Sequence, residues 1–172
     1  MSVFCKTDVK KLKNAIEAIG SDWMLITAKD EAQGRVNAMT ASWGCMGVLW
    51  SKPVCILFVR PQRHTHSLTE AQDRFSIAFL GEEHRAALRL CGTLSGRDTD
   101  KLTEAGLHTE TLGGVEVIRE AETVLIVKKL YADHLKEASF LDPALLANYK
   151  EKDYHRFYVC EIEEAYTKQQ EQ

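Results

Sequence analysis

Several things are missing from this 172-residue chain, and each absence removes a class of function. No run of about 18 apolar residues occurs, so no helix is expected to span a bilayer. Residues 1–13 lack the apolar core of a secretory signal. Basic charge is not in excess. The 22 Lys and Arg stand against 25 Asp and Glu, whereas nucleic-acid-binding domains are usually strongly basic. The five cysteines, Cys5, Cys45, Cys55, Cys91 and Cys160, contain no Cys-x-x-Cys pair. An odd, scattered set fits a reducing, cytoplasmic setting better than a disulfide scaffold. No segment repeats at a period of about 20–50 residues. Neither a phosphate-binding Gly-Lys-Ser/Thr loop nor a Gly-x-Gly-x-x-Gly fingerprint is present. No Ser/His/Asp arrangement or carboxylate pair asks for acid–base or acyl-transfer chemistry.

What remains is enough apolar material, 45% of the residues, for one domain spanning residues 1–172. Val9, Leu12, Ile16 and Ile19 recur at helical spacing and predict a helix over 8–19, ended by Gly20. Apolar runs predict strands at 23–28, 35–43, 54–60, 74–80, 123–131 and 157–166, with a further pair at 109–112 and 115–119 around Gly113-Gly114. Short helices are expected from Thr65, at 82–91, at 99–105 and, opened by Pro143, at 144–150. The tail 167–172 is polar and expected to fray. Many short strands with small helices between them indicate a mainly β fold, a barrel with peripheral helices, and not a doubly wound α/β sheet.

Three stretches carry chemistry. Residues 37–43 read Asn37-Ala38-Met39-Thr40-Ala41-Ser42-Trp43. Alternation sets Asn37, Met39, Ala41 and Trp43 against Ala38, Thr40 and Ser42, which leaves no clean apolar face. Either the strand is half exposed, or a ligand takes up its donors and acceptors. Residues 60–67 place Arg60, Arg63 and Thr65 where a strand runs into a helix, a composition suited to an anion, though also to a solvated turn. His64-x-His66 lacks a third ligand nearby, so no metal site is expected. Residues 92–101 form a Gly-containing loop with Ser95, Gly96, Arg97 and Lys101. It is open to a phosphate or to a plain capping role for Ser95 with Asp98.

The ordered set Asn-x-Met-Thr-x-Ser-Trp, Arg-Pro-x-Arg-x-Thr and Ser-Gly-Arg-Asp-x-Asp-Lys resembles the flavin reductase-like, FMN-binding split-barrel family, flavoredoxins among it. The likeness is strongest over 21–106 and looser through Tyr154-His155-Arg156-Phe157-Tyr158. It implies a Greek-key-like split barrel of about six strands, a homodimer, and FMN near the subunit interface. Asn37, Met39, Thr40, Ala41, Ser42 and Trp43 would lie along the flavin ring, with Thr65 as a further hydroxyl. Arg60, Arg63, Ser95, Gly96, Arg97 and Lys101 would surround the phosphate. His134 and His155 would enter the pocket, with His134 or Lys101 tuning the reduced flavin. No catalytic residue is otherwise required, because the flavin carries the chemistry. The implied function is an oxidoreductase taking electrons from NADH or NADPH to a flavin or other small acceptor. The alternatives are an electron carrier without nicotinamide activity, or a barrel that binds no flavin. The chain departs from the family pattern at His64, where an aromatic is usual, and at Cys45, where a smaller residue is.

Overall fold

The computed structural model describes residues 4–12 and 14–168. Its strands are β1 (Phe4–Thr7), β2 (Met24–Asp30), β3 (Arg35–Ala41), β4 (Gly44–Leu49), β5 (Lys52–Val59), β6 (Arg74–Phe79), β7 (Thr109–Leu112), β8 (Val115–Ile118), β9 (Thr123–His134) and β10 (Arg156–Lys168). The helices are α1 (Ala15–Glu17), α2 (His64–Ala71), α3 (Arg85–Thr93) and α4 (Lys101–Glu104). Of the described residues, strand accounts for 43% and helix, with 3-10 and wider turns included, for 27%, so the fold is mainly β.

Eight strands form one antiparallel sheet in the order β3-β2-β6-β9-β10-β5-β4, with β1 beside the end of β10. β3 and β4 stand at opposite ends of this ladder, yet only Ser42 and Trp43 join them. The three Cα steps from Ala41 to Gly44 reach at most about 11 Å. The sheet must therefore curl until its two ends lie side by side. Register shifts in β10 at Val159/Cys160 and Ile162/Glu164 supply local bends of the kind that let a long strand curve. The result is a split barrel, and the split runs along the β3–β4 seam.

One core fills the barrel. Met24, Ile26 and Ala28 of β2 meet Met39 and Ala41 of β3, Leu57 and Val59 of β5, and Tyr158 and Cys160 of β10. A second core lies outside β2, β3 and β6, where Leu25, Ala38 and Ala78 pack under Leu88 and Cys91 of α3, Leu102 of α4 and Val117 of β8. β3 is thus covered on both faces, which is why its sequence shows no single apolar side.

The six long predicted strands all occur, and two more join them. β4 escapes sequence reading because Gly44 and Gly47 interrupt it and most of it is exposed. Its hairpin to β5 turns on Trp50 and Ser51 at φ 51° and 58°, without the Asn-Gly that usually marks such a turn. β1 is only four residues, held by the end of β10. That pairing also corrects the tail. Thr167 and Lys168 belong to β10, and residues 169–172 lie outside the described part.

The helix expected over 8–19 is not continuous. A 3-10 turn, Val9–Lys11, is capped by Asp8; Asn14 then accepts from the Ile16 amide and starts α1 afresh. A wider turn, Ala18–Asp22, follows and contains Gly20 instead of ending before it. Ile16 is 84% exposed, so the periodicity that suggested one amphipathic face does not hold. Lys13 lies outside the described residues. Other boundaries move less. Residues 82–84 form a 3-10 turn ahead of α3, residues 143–148 a 3-10 helix, and β9 runs on to include His134.

Candidate functional site

At the β3–β4 seam a cleft of about 210 Å³ opens between Met39, Thr40, Ala41, Ser42 and Trp43 on one side and Phe58, Arg60, Arg63 and His155 on the other. The chain brings these residues together because β3 hands over to β4 there. β5 and β10, paired Phe157 to Phe58 and Arg156 to Val59, end beside it. Trp43 and His155 stand with ring centroids 5.1 Å apart, and Phe58 meets His155 edge-on at 6.2 Å. One end of the cleft is therefore an aromatic wall.

The polar groups of 37–43 divide in two. Asn37 donates through Nδ2 to Thr65 Oγ1 at 2.8 Å, and Thr40 Oγ1 donates to the Leu88 carbonyl. These bonds pin α2 and α3 to β3. Thr65 is consequently not the helix cap. It sits inside α2, whose N-cap position belongs to Arg63, and its hydroxyl serves Asn37. Met39, Ala41, Ser42 and Trp43 complete the cleft wall beside Thr40.

Beyond the wall lies a group of cations. Arg63 donates to the carbonyls of Gly92 at 2.7 Å and Cys91 at 3.3 Å, and Lys101 Nζ donates to the same Cys91 carbonyl at 3.2 Å. Both close the C-terminal turn of α3, where carbonyls lack helical partners and cations are favoured. Lys101 is buried. Burial, reinforced by the Arg63 charge, lowers its pKa to about 8, and burial also lowers that of Arg63. Among the described residues neither is ion-paired. Two like charges on one carbonyl oxygen repel by roughly 3 kcal/mol at an effective dielectric of 20.

Next to it the loop ahead of α4 is tightly laid. The Ser95 hydroxyl accepts from the Arg97 amide at 3.2 Å, Arg97 donates to the Gln62 carbonyl at 3.1 Å, and Arg35 holds the Gly96 carbonyl at 2.8 Å. Ser95 is thus a turn former and not the helix cap; Asp100 caps α4 by accepting from the Thr103 amide. A Cβ on Gly96 would fall 1.9 Å from Asn37 Oδ1, so the loop can approach β3 this closely only with glycine there.

Arg60 behaves differently from Arg63. Its guanidinium is ion-paired with Asp153, donates to the Asn148 carbonyl at 2.9 Å and lies over the Tyr149 ring at 5.2 Å. It anchors residues 135–155, the excursion between β9 and β10. Tyr149 and Asp153 are functional-region residues that the sequence did not signal, since they sit some 90 positions from Arg60 and in no motif. His155 is buried, with Nδ1 2.9 Å from the Tyr149 hydroxyl. Burial, with the nearby Arg60 charge, lowers its pKa to about 4, so it is neutral at pH 7. His134 does not line the cleft; it faces Arg156, Nδ1 to Nη1 3.4 Å. His64 is bound to Asp30 at 2.8 Å, and no metal-holding cluster of His, Cys, Asp or Glu exists among the described residues.

A split barrel with an aromatic wall and the unpaired Arg63 at its seam has the chemistry that suits a planar anionic ligand. The sequence profile of the flavin reductase like domain matches residues 16–172, and the chain belongs to that family. Among solved structures it resembles an FMN-binding domain of a flavin reductase-like enzyme from Shewanella baltica, at 16% identity and a TM-score of 0.68, covering 96% of this chain and 77% of that one. A flavoredoxin from Methanosarcina acetivorans shares 20% identity and a TM-score of 0.66, over 87% and 69% of the two chains. The styrene monooxygenase flavin reductase of Pseudomonas putida shares 14%, with a TM-score of 0.62 over 85% and 79%. These likenesses show the fold. No curated protein sequence matches the chain. Among the described residues no helix is long and apolar enough to cross a membrane.

Proposed function

We propose that the chain binds FMN at the seam and passes electrons from NADH or NADPH to a flavin or another small acceptor. The observation that carries this reading is Arg63, which lines the same cleft as Trp43 and His155 and shares the Cys91 carbonyl with the buried Lys101 behind it. An aromatic wall suits a planar ring, and two cations without a carboxylate suit a phosphate. Ser95, the Gly96 backbone and Arg97 lie in the loop against Gln62 and Asn37, outside the cleft lining, and would border the phosphate end. Met39 to Trp43 line the ring end, where Ser42 is the hydroxyl that no internal bond takes. FMN, when bound, supplies the two-electron chemistry, accepting hydride and releasing electrons onward. The residues bind and orient it. Arg63, with Lys101 behind it, would hold the phosphate, whose charge would offset their mutual repulsion, and Trp43 and Phe58 would screen the ring from water. His155, neutral at pH 7, offers a hydrogen bond without adding charge.

The apolar side chains Trp43, Val48, Leu49 and Trp50 are exposed along β4, the free edge of the split. An edge strand of this kind calls for a cover. A second copy of the chain is the proposed cover, which would make the working form a homodimer with the ligand near its interface. Cys55 and Cys160, paired across β5 and β10 as thiols, fit the reducing cytoplasm as its location.

A flavin-binding electron carrier is the second reading, because the same fold is shared with a flavoredoxin. Anaerobic mixing of the FMN-loaded protein with NADH and with NADPH separates them. Bleaching of the flavin absorbance within seconds supports the reductase, and an unbleached flavin supports the carrier.

A further inference from the structure

The excursion 135–155 places a tyrosine behind the cleft histidine. Tyr149 is 6% exposed, its hydroxyl lies 2.9 Å from His155 Nδ1, and its ring meets the imidazole edge-on at 5.5 Å. A buried hydroxyl needs an acceptor for its proton. Among the described residues the one within reach is Nδ1. A neutral imidazole whose Nδ1 accepts must carry its proton on Nε2. We propose that Tyr149 is a positioning residue, which fixes His155 as the Nε2-protonated tautomer and so turns it into a neutral hydrogen-bond donor to the ring in the cleft.

Three neighbours make the arrangement rigid. Arg60 lies over the Tyr149 ring and holds Asp153 and the Asn148 carbonyl on either side of it. Phe140 and Tyr154 pack on Tyr149 at 5.6 and 5.0 Å. Trp43 closes the opposite side of His155 at 5.1 Å. The charged groups that face the imidazole are Arg60 and Asp153, and burial together with Arg60 disfavours the imidazolium. Arg60, expected from sequence to touch the phosphate, thereby acts through Tyr149. A neutral donor can bond a ring carbonyl without changing the charge of the site.

The identification of the ring as that of FMN rests on the proposed function; the tautomer does not. Imidazole ¹⁵N spectra of the FMN-free protein, labelled at histidine and assigned with His155→Gln, report which nitrogen holds the proton. The wild type should show Nε2–H alone at pH 7. Tyr149→Phe should give mixed tautomers and raise the FMN Kd about three- to tenfold, as fits the loss of one oriented hydrogen bond. An Nδ1–H signal in the wild type overturns the proposal even if Tyr149→Phe fails to fold. Altered tautomers with an unchanged FMN Kd overturn the contact with the ring. If the wild type binds no FMN, the proposed function falls while the tautomer assignment is still read.

Discussion

At the scale of single residues, the site is built from groups whose stability and function pull in opposite directions. Lys101 keeps its charge although burial opposes it, and its pKa is about 8 in the folded chain against 10.5 free. A folded value below the unfolded one means that stability is complete above pH 10.5 and falls as pH drops from 10.5 to 8. At pH 7 the deficit is about 3 kcal/mol. Lys101→Met should therefore stabilise the ligand-free protein in urea titrations at pH 7 while weakening FMN binding. His155 works at the other end of the scale. Its pKa of about 4 lies below the usual 6.5, so its contribution is full above pH 6.5 and is lost as pH falls to 4. The loss is again about 3 kcal/mol, and the His155→Gln protein should show a correspondingly shallower decline between those pH values. Gly96→Ala is predicted to cost about 1–3 kcal/mol in thermal unfolding, because the new methyl must displace the buried amide of Asn37.

Residue types were legible in the sequence, but their partners were not. Asn37 and Thr40 read as polar groups in search of a ligand; two helices, α2 and α3, take up their hydrogen bonds. Arg60 and Arg63 looked equivalent three positions apart. One is neutralised by Asp153, some 90 residues on, and the other is left with carbonyls alone. Nothing local in the chain distinguishes them, since the difference lies in what the fold lays beside each.

At the scale of elements, β4 is the instructive case. Its glycines and exposed side chains make it look like a loop, and only its pairing with β5 makes it a strand. The Trp50–Ser51 turn holds two L-residues at positive φ, where each costs roughly 1 kcal/mol. Ser51→Gly should relieve part of that and raise stability by about 0.5–1 kcal/mol, seen as a higher melting temperature. No gain would mean that the turn is not strained. The N-terminal segment failed in the opposite direction, because the spacing of Val9, Leu12, Ile16 and Ile19 imitates a helix that Asp8 and Asn14 divide. The six long strands were readable because each carries an apolar run long enough to be buried on at least one face.

At the scale of the molecule, the barrel and its cleft have one origin. Two residues, Ser42 and Trp43, tie together the opposite ends of an eight-stranded ladder, so closure leaves a seam, and the cleft is that seam. In the proposed reading, the phosphate end would be set by where α3 terminates and the ring end by where β3 does. The measurement that bears most directly on this account compares FMN with riboflavin, which lacks the phosphate, as ligands of the wild type and of Lys101→Met. A hydrogen bond to a charged group is worth about 1.5–3 kcal/mol. The substitution should raise the FMN Kd about 10- to 100-fold and leave the riboflavin Kd unchanged. Equal affinity of the wild type for the two ligands, or an equal loss of both in the variant, would contradict the placement of the phosphate on the Arg63–Lys101 pair.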